Sequence, residues 1–302
     1  MINEIYEKSI LATATNTSKS ENQDNCGEYQ GAFFNSLFIA DGLGSFIYPK
    51  IASERVIDSF KASAKDFDNI QAKGYQPKFS EVYKLAKDKL INYSNENMQE
   101  EDKEIQNLYG TTAITVFENE DKIYFAYAGN GGVWHVRGNF NEFPAAYHYP
   151  WNAVNYLNPH TTSEDGKEAL YRLISNSLDF TECVPTSVDL IKDRSVGEII
   201  MICTDGIYSP DQVKAGKNDK GVWVRYESSM LIFFEYLKEF FKVNKYYSKE
   251  ALEEMLNNYL ELLKPTLDDD ATIGVLITKE ALNYQNEINW IRENEDNSSN
   301  QV

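Results

Sequence analysis

Cysteine and histidine are scarce in this 302-residue chain, three of each, and basic residues are outnumbered by acidic ones, 29 to 47. Cys26, Cys183 and Cys203 are odd in number and widely spaced, which supports neither a disulfide framework nor a CxxC zinc or redox site. His135, His148 and His160 lack zinc-type spacing and read as ordinary polar or structural residues. A formal charge of −18 offers no cation excess to displace counterions, so neither nucleic acid nor an anionic membrane is expected as a partner. No window approaches the ~20 apolar residues of a membrane span, and the first residues carry no basic or apolar leader region. A cytoplasmic location is the expectation. No repeat and no linker rich in Gly, Ser or Pro divides the chain, so residues 1–280 are expected as one domain, followed at 281–302 by a helix and a polar tail disordered from Glu293 to Asn300.

What is present is a repeated strand ending. Leu37-Phe38-Ile39-Ala40-Asp41-Gly42 is an apolar run that stops in Asp-Gly, which reads as a buried strand delivering a carboxylate to its rim. Ile199 to Thr204 stops the same way at Asp205-Gly206, and Asp268-Asp269-Asp270 opens the run Ala271 to Ile277. Between them, Thr111–Phe117, Lys122–Ala128 and Val133–Arg137 are β-rich, with Asn130-Gly131 as a hairpin signal between the last two. Ala52, Val56, Phe60 and Ala64 give a helical stripe, as do Val82, Leu85, Ala86 and Leu90, then Met230 to Phe241 and Leu252 to Leu263. Leu170, Leu173, Ile174 and Leu178 predict a short helix, and the aromatic, proline-bearing segment 139–165 predicts a long irregular excursion whose Tyr147, Tyr149, Trp151 and Tyr156 either form a flap near the cleft or, the reading slightly favoured, pack on the surface of the sandwich. Runs of strands with helices on either side in sequence favour an α+β fold of mostly antiparallel sheets covered by helices.

Two carboxylates about 4 Å apart repel by roughly 4 kcal/mol at an effective dielectric near 20, so a rim that collects several needs protons or cations. Oxygen donors without a His or Cys cluster select Mg²⁺ or Mn²⁺ over zinc. Each feature taken alone has a plain reading: Asp-Gly is usually a turn, Asn-Gly a hairpin, and Lys19 a surface cation. Their joint order carries more weight than any one of them.

That ordered set, Lys19-Ser20-Glu21-Asn22-Gln23-Asp24, Ala40-Asp41-Gly42-Leu43-Gly44, Gly110-Thr111-Thr112, Ala128-Gly129-Asn130-Gly131, Thr204-Asp205-Gly206 and Asp269-Asp270-Ala271-Thr272, resembles the metal-dependent serine/threonine protein phosphatases of type 2C. The resemblance runs from about residue 9 to 278. It implies a four-layer α-β-β-α sandwich with a binuclear Mg²⁺ or Mn²⁺ centre at one end. By that resemblance Asp41 bridges both ions, Gly42 offers its carbonyl to one, Asp205 and Asp269 hold the other, and Asp24 supports the Gly42 side. The resemblance further implies that a metal-bridging water would attack the phosphorus of a phosphoserine or phosphothreonine in line. Lys19 takes the place of the family's phosphate-binding Arg, keeping the charge without the bidentate fork. Gln23 stands where Glu is common, Leu43 where some members have His, and the neutral Asn130 where an Asp serves a third ion, which argues against a third ion here.

The leading expectation is therefore an active phosphoprotein phosphatase acting on phosphorylated protein, such as a kinase's target. The alternative is a pseudophosphatase, a phosphoprotein-binding module of the same fold, motivated by Lys19, Leu43, Asn130 and segment 139–165. A two-metal nuclease fits the carboxylates but not the charge.

Overall fold

Apolar runs without alternation are what a strand needs when both of its faces are covered, and the central strands here are covered on both. The computed structural model describes residues 5–70, 76–99, 105, 107–137, 153–164, 167–177, 183–209, 211–217, 223–244 and 246–299. In chain order the elements are β1 (Ile10–Asn16), β2 (Asp24–Gln30), β3 (Asn35–Asp41), α1 (Pro49–Ile70), α2 (Phe79–Asn97), β4 (Gly110–Thr111), β5 (Ala113–Glu118), β6 (Lys122–Ala128), β7 (Gly132–Val136), β8 (Ala153–Asn155), β9 (Thr161–Glu164), β10 (Lys167–Leu170), β11 (Ile174–Ser175), β12 (Thr186–Ile191), β13 (Ile199–Cys203), β14 (Gln212–Lys217), β15 (Trp223–Glu227), α3 (Ser229–Val243), α4 (Lys249–Leu263), β16 (Ala271–Ile277) and α5 (Lys279–Ser299).

Two five-stranded sheets, β1-β16-β13-β7-β8 and β12-β6-β5-β3-β2, form the body. Every pairing within them is antiparallel. Strand periodicity then sorts the side chains into three cores. Ile200, Ile202 and Leu276 meet Leu37, Ile39, Ile114 and Val116 between the sheets. Ile199, Met201 and Cys203 point the other way and pack under Phe233, Leu237, Leu256 and Tyr259 of α3 and α4. On the opposite side Phe38 and Ala40 pack under Val56, Phe60, Val82 and Tyr83 of α1 and α2. The order of layers is helix, sheet, sheet, helix, as the resemblance implies.

Several local expectations are corrected. Asn130-Gly131 does not close a hairpin, because β6 pairs with β5 and β12 while β7 pairs with β13 and β8. The turn instead carries the chain from one sheet to the other. The short helix predicted over 170–178 is absent from its described residues: Leu170 ends β10, Ile174 lies in β11 paired to β4, and Leu178 lies outside them. Of the 139–165 excursion, residues 138–152, with Tyr147, Tyr149 and Trp151, fall outside the described residues. Residues 153–164 carry β8 as an edge strand and β9, which pairs with β10, and they place the Tyr156 ring 5.4 Å from that of Phe125. Leu85 is exposed, and Tyr83 fills the buried face of α2 in its place. Finally, α5 continues to Ser299, through residues where disorder was expected.

Candidate functional site

The three acidic strand ends come together at one end of the sandwich, and the register explains how. Asp24 opens β2 directly opposite Asp41 at the close of β3. Asp24 is 6% exposed, and its Oδ2 accepts a 2.8 Å hydrogen bond from the Thr204 hydroxyl across the gap between sheets. That hydroxyl in turn accepts from the Thr272 N–H at 3.0 Å, so one threonine ties both sheets together at the rim. Oδ1 of Asp24 is buried with no hydrogen-bond partner. The Asp41 backbone is fixed by Thr112, whose N–H donates to its carbonyl at 2.8 Å, and by the Thr111 hydroxyl on the same oxygen at 2.8 Å. Gly42 follows, its N–H donating to the Gln23 carbonyl at 3.3 Å.

Asp205 begins a 3₁₀ turn just past β13. Its Oδ2 accepts from the Asn130 amide at 2.5 Å. Asn130 is presented by a turn that only glycines permit on either side, since Gly129 and Gly131 have φ of 114° and 116°. His160 holds the same turn twice: its Nδ1 accepts from the Gly129 N–H at 3.2 Å, and its own N–H donates to the Gly129 carbonyl at 2.9 Å. The ring proton therefore sits on Nε2, facing the Thr186 hydroxyl at 2.8 Å.

The aspartate triplet divides its labour. Asp268 is exposed. Asp270 is 2% exposed and accepts from the Thr17 hydroxyl at 2.5 Å and the Gln23 N–H at 2.8 Å, which anchors the loop before β2. Asp269 lies at the rim, ion-paired with Lys19. A Cβ on Gly206 would lie 1.8 Å from the Asp270 carbonyl oxygen, so glycine is what lets the Asp205 and Asp270 turns abut.

The electrostatics record the crowding. Burial pushes the Asp24 carboxyl up to about 7, although hydroxyls of Thr204 and Thr272 favour its charged form. Burial, then the charges of Asp24 and Asp205, raise Asp41 well above the usual carboxylate range. Asp205 is raised by burial and by the Asp269 charge, with the Asn130 amide opposing. Burial lowers the Lys19 ammonium, but the hydrogen bond and charge of Asp269, with Asp270 and Asp41 beyond it, outweigh that and raise it.

A family model for protein phosphatase 2C matches residues 13–261. The chain belongs to the protein phosphatase 2C family. Among solved structures of similar fold are the serine/threonine phosphatase PstP of Mycobacterium tuberculosis, at 14% identity over 90% of this chain and 99% of that one with a TM-score of 0.58, and Stp1 of Staphylococcus aureus, at 13% identity over 91% and 96% with a TM-score of 0.56. A PstP catalytic domain in complex with two manganese ions is also similar, at 15% identity over 89% and 98% with a TM-score of 0.56. No curated protein gives a significant match.

As a type 2C family member, the chain places every residue singled out from its sequence, Lys19, Asp24, Asp41, Gly42, Asp205 and Asp269, at this one end. Sequence reasoning missed Thr204, Thr112, Thr17 and His160, which touch the carboxylates or the turns that carry them. Only Thr204 and Thr112 stood inside a recognisable motif, and nothing in the pattern marks a hydroxyl as a clamp. Among the described residues no three His, Cys, Asp or Glu side chains stand in an arrangement ready to hold a metal ion. Asp24, Asp205 and Asp269 are turned instead to Thr204, Asn130 and Lys19. The donors nonetheless suit a hard divalent cation: they are oxygens, mutually repelling, and include a buried Asp24 Oδ1 that no protein donor satisfies.

Proposed function

We propose that residues 1–280 form a phosphoprotein phosphatase domain that hydrolyses phosphoserine and phosphothreonine in cytoplasmic proteins, using two Mn²⁺ or Mg²⁺ ions at Asp24, Asp41, the Gly42 carbonyl, Asp205 and Asp269. The observation that carries this reading is the Asp24–Asp41 pair on adjacent strand ends, Asp24 buried and Asp41 half-buried, both held above the usual carboxylate range and facing Asp205 and Asp269. Buried carboxylates gathered without matching cations are stabilised by binding them. Once bound, the ions would supply Lewis-acid activation of water and neutralise phosphate charge. The protein's own share is to hold Asp41 through Thr111 and Thr112, Asp24 through Thr204, and Asp205 through Asn130, and to place the Lys19 ammonium where it meets a phosphate at the rim. Serine/threonine phosphatases among the similar structures, one holding two manganese ions, point to the same substrate class and metal.

The test is hydrolysis of para-nitrophenyl phosphate and a phosphothreonine peptide in millimolar Mn²⁺. Turnover is expected from the wild type and should be lost in Asp41→Asn. Well-folded protein that turns over neither substrate refutes the enzyme reading. Tight phosphopeptide binding without turnover would mark a phosphoprotein-binding module instead.

A further inference from the structure

Five carboxylates, Asp24, Asp41, Asp205, Asp269 and Asp270, gather at the rim, and among the described residues Lys19 is the one cation ion-paired with any of them. Its loop is pinned to the turn that precedes β16. The Lys19 N–H donates to the Thr17 hydroxyl at 2.9 Å, that hydroxyl donates to Asp270 at 2.5 Å, and the Ser18 hydroxyl donates to the Leu267 carbonyl at 2.8 Å. The backbone at Lys19 is therefore held, and what remains free to move is a four-carbon stem ending in a point charge. Its contact with Asp269 is open to water, with the two side chains 38% and 50% exposed. Pairs of that kind are weak and exchange easily.

We propose that Lys19 is a built-in counter-cation for Asp269 that yields to a divalent cation and is thereby released to phosphate, so that metal uptake and phosphate binding reinforce each other. The inference rests on the phosphatase reading above. An incoming divalent cation carries twice the lysine's charge and repels it from the same carboxylate. A phosphate arriving beside the ions draws the freed ammonium inward. By linkage, whatever factor the cation contributes to phosphate affinity, phosphate returns to cation affinity. A fixed, bidentate contact to Asp269 would not allow this exchange; a single flexible ammonium does.

Electron paramagnetic resonance of free Mn²⁺ reads the binding without turnover. Titrations at low ionic strength, with and without orthophosphate, compare the wild type with Lys19→Gln, Lys19→Arg and Asp41→Asn. Lys19→Gln is expected to bind Mn²⁺ about two- to fivefold more tightly, as loss of a weak competing ion pair dictates. Lys19→Arg, which keeps the charge and can fork onto Asp269, should bind Mn²⁺ no more tightly than the wild type. Orthophosphate should tighten Mn²⁺ binding in the wild type and do so less in Lys19→Gln. Mn²⁺ affinity unchanged or weakened in Lys19→Gln, or an equal phosphate effect in both, overturns this inference alone. Absence of Mn²⁺ uptake by the wild type, or uptake that Asp41→Asn leaves intact, overturns the metal reading and this inference with it.

Discussion

The closest backbone approach at the site gives the sharpest test of how it is built. Gly206 follows Asp205, and a Cβ there would stand 1.8 Å from the Asp270 carbonyl oxygen and 2.7 Å from its carbon. Side-chain rotation gives no relief, because both obstructing atoms are backbone. In Gly206→Ala the turn after β13 and the turn before β16 must part by roughly 1 Å or more. Overpacking of this kind lowers stability by about 1–3 kcal/mol. The same shift separates Asp205 from Asp269 and strains the Thr204 bridge to Asp24, and a 1 Å misplacement of a reacting group lowers rate by roughly 100-fold. Urea unfolding of the metal-free protein reads the first effect, and Mn²⁺-dependent para-nitrophenyl phosphate hydrolysis the second. Gly44→Ala is the control: its Cβ would meet only the Gln23 side chain at 3.6 Å, an ordinary contact, so it should behave as wild type. Gly206→Ala with wild-type stability and rate would refute the claim that these turns must touch for the site to form.

Three further outcomes follow from the same geometry. The Asp24 carboxyl keeps its proton to about pH 7 in the folded protein but only to 3.8 when unfolded, so its burial lowers stability increasingly as pH rises through that window; Asp24→Asn should raise the melting temperature of metal-free protein at pH 8 and change it little at pH 4. Burial and the nearby Arg172 charge lower His160 from 6.5 to about 4, so the unfolded chain takes up that proton first and stability is lost as pH falls from 6.5 toward 4; Lys and carboxylate titrations being equal, His160→Gln should unfold at lower urea at pH 7.5 and show a flatter profile across that range. Asp68 accepts backbone N–H groups of Ala32, Phe33 and Phe34 at 3.0, 2.7 and 3.2 Å, and Asp68→Ala should lose about 1–2 kcal/mol in urea unfolding while leaving Mn²⁺ uptake unchanged.

The legible parts of this chain were those where one residue's environment is set by its own neighbours in sequence. Leu37–Ala40, Ile199–Cys203 and Ala271–Ile277 are buried on both faces and read as strands; where such a run meets Asp, the carboxylate has to lie at the rim. β2 was not legible, because Asp24–Gln30 is an edge strand with the composition Asp-Asn-Cys-Gly-Glu-Tyr-Gln and no apolar period. With β2 went the pairing that sets Asp24 against Asp41. Asn130-Gly131 misled for a different reason: positive φ serves a hairpin and a crossover equally, and which sheet β7 joins is decided by its partner β13, distant in sequence. The Thr204 and His160 contacts depend on residues 180 and 31 positions away, respectively, and no local pattern encodes them.

The two ends of the sandwich make the case for cations better than the site does alone. At the far end the fold also buries carboxylates, yet each meets a cation there. Glu118, 2% exposed, accepts from Lys192, Asn35 and Ser9 at 2.7, 2.8 and 2.7 Å. Glu198, fully buried, is held by His135 and by Arg137 through two nitrogens. Glu280 meets Lys192 and Arg194 at 3.3 and 3.2 Å. Burial is the largest influence on Glu198, as it is on Asp24, Asp41 and Asp205, but the shifts have opposite signs: donors from His135 and Arg137 pull Glu198 below its ordinary value, whereas the aspartates stand above theirs. The same chain thus shows that it can neutralise a buried carboxylate with its own side chains. At the other end, among the described residues, it offers five carboxylates a single exposed lysine. An imbalance confined to one end of a fold that balances the other is what a site for added divalent charge requires, since a fully paired rim would leave an incoming cation nothing to compensate.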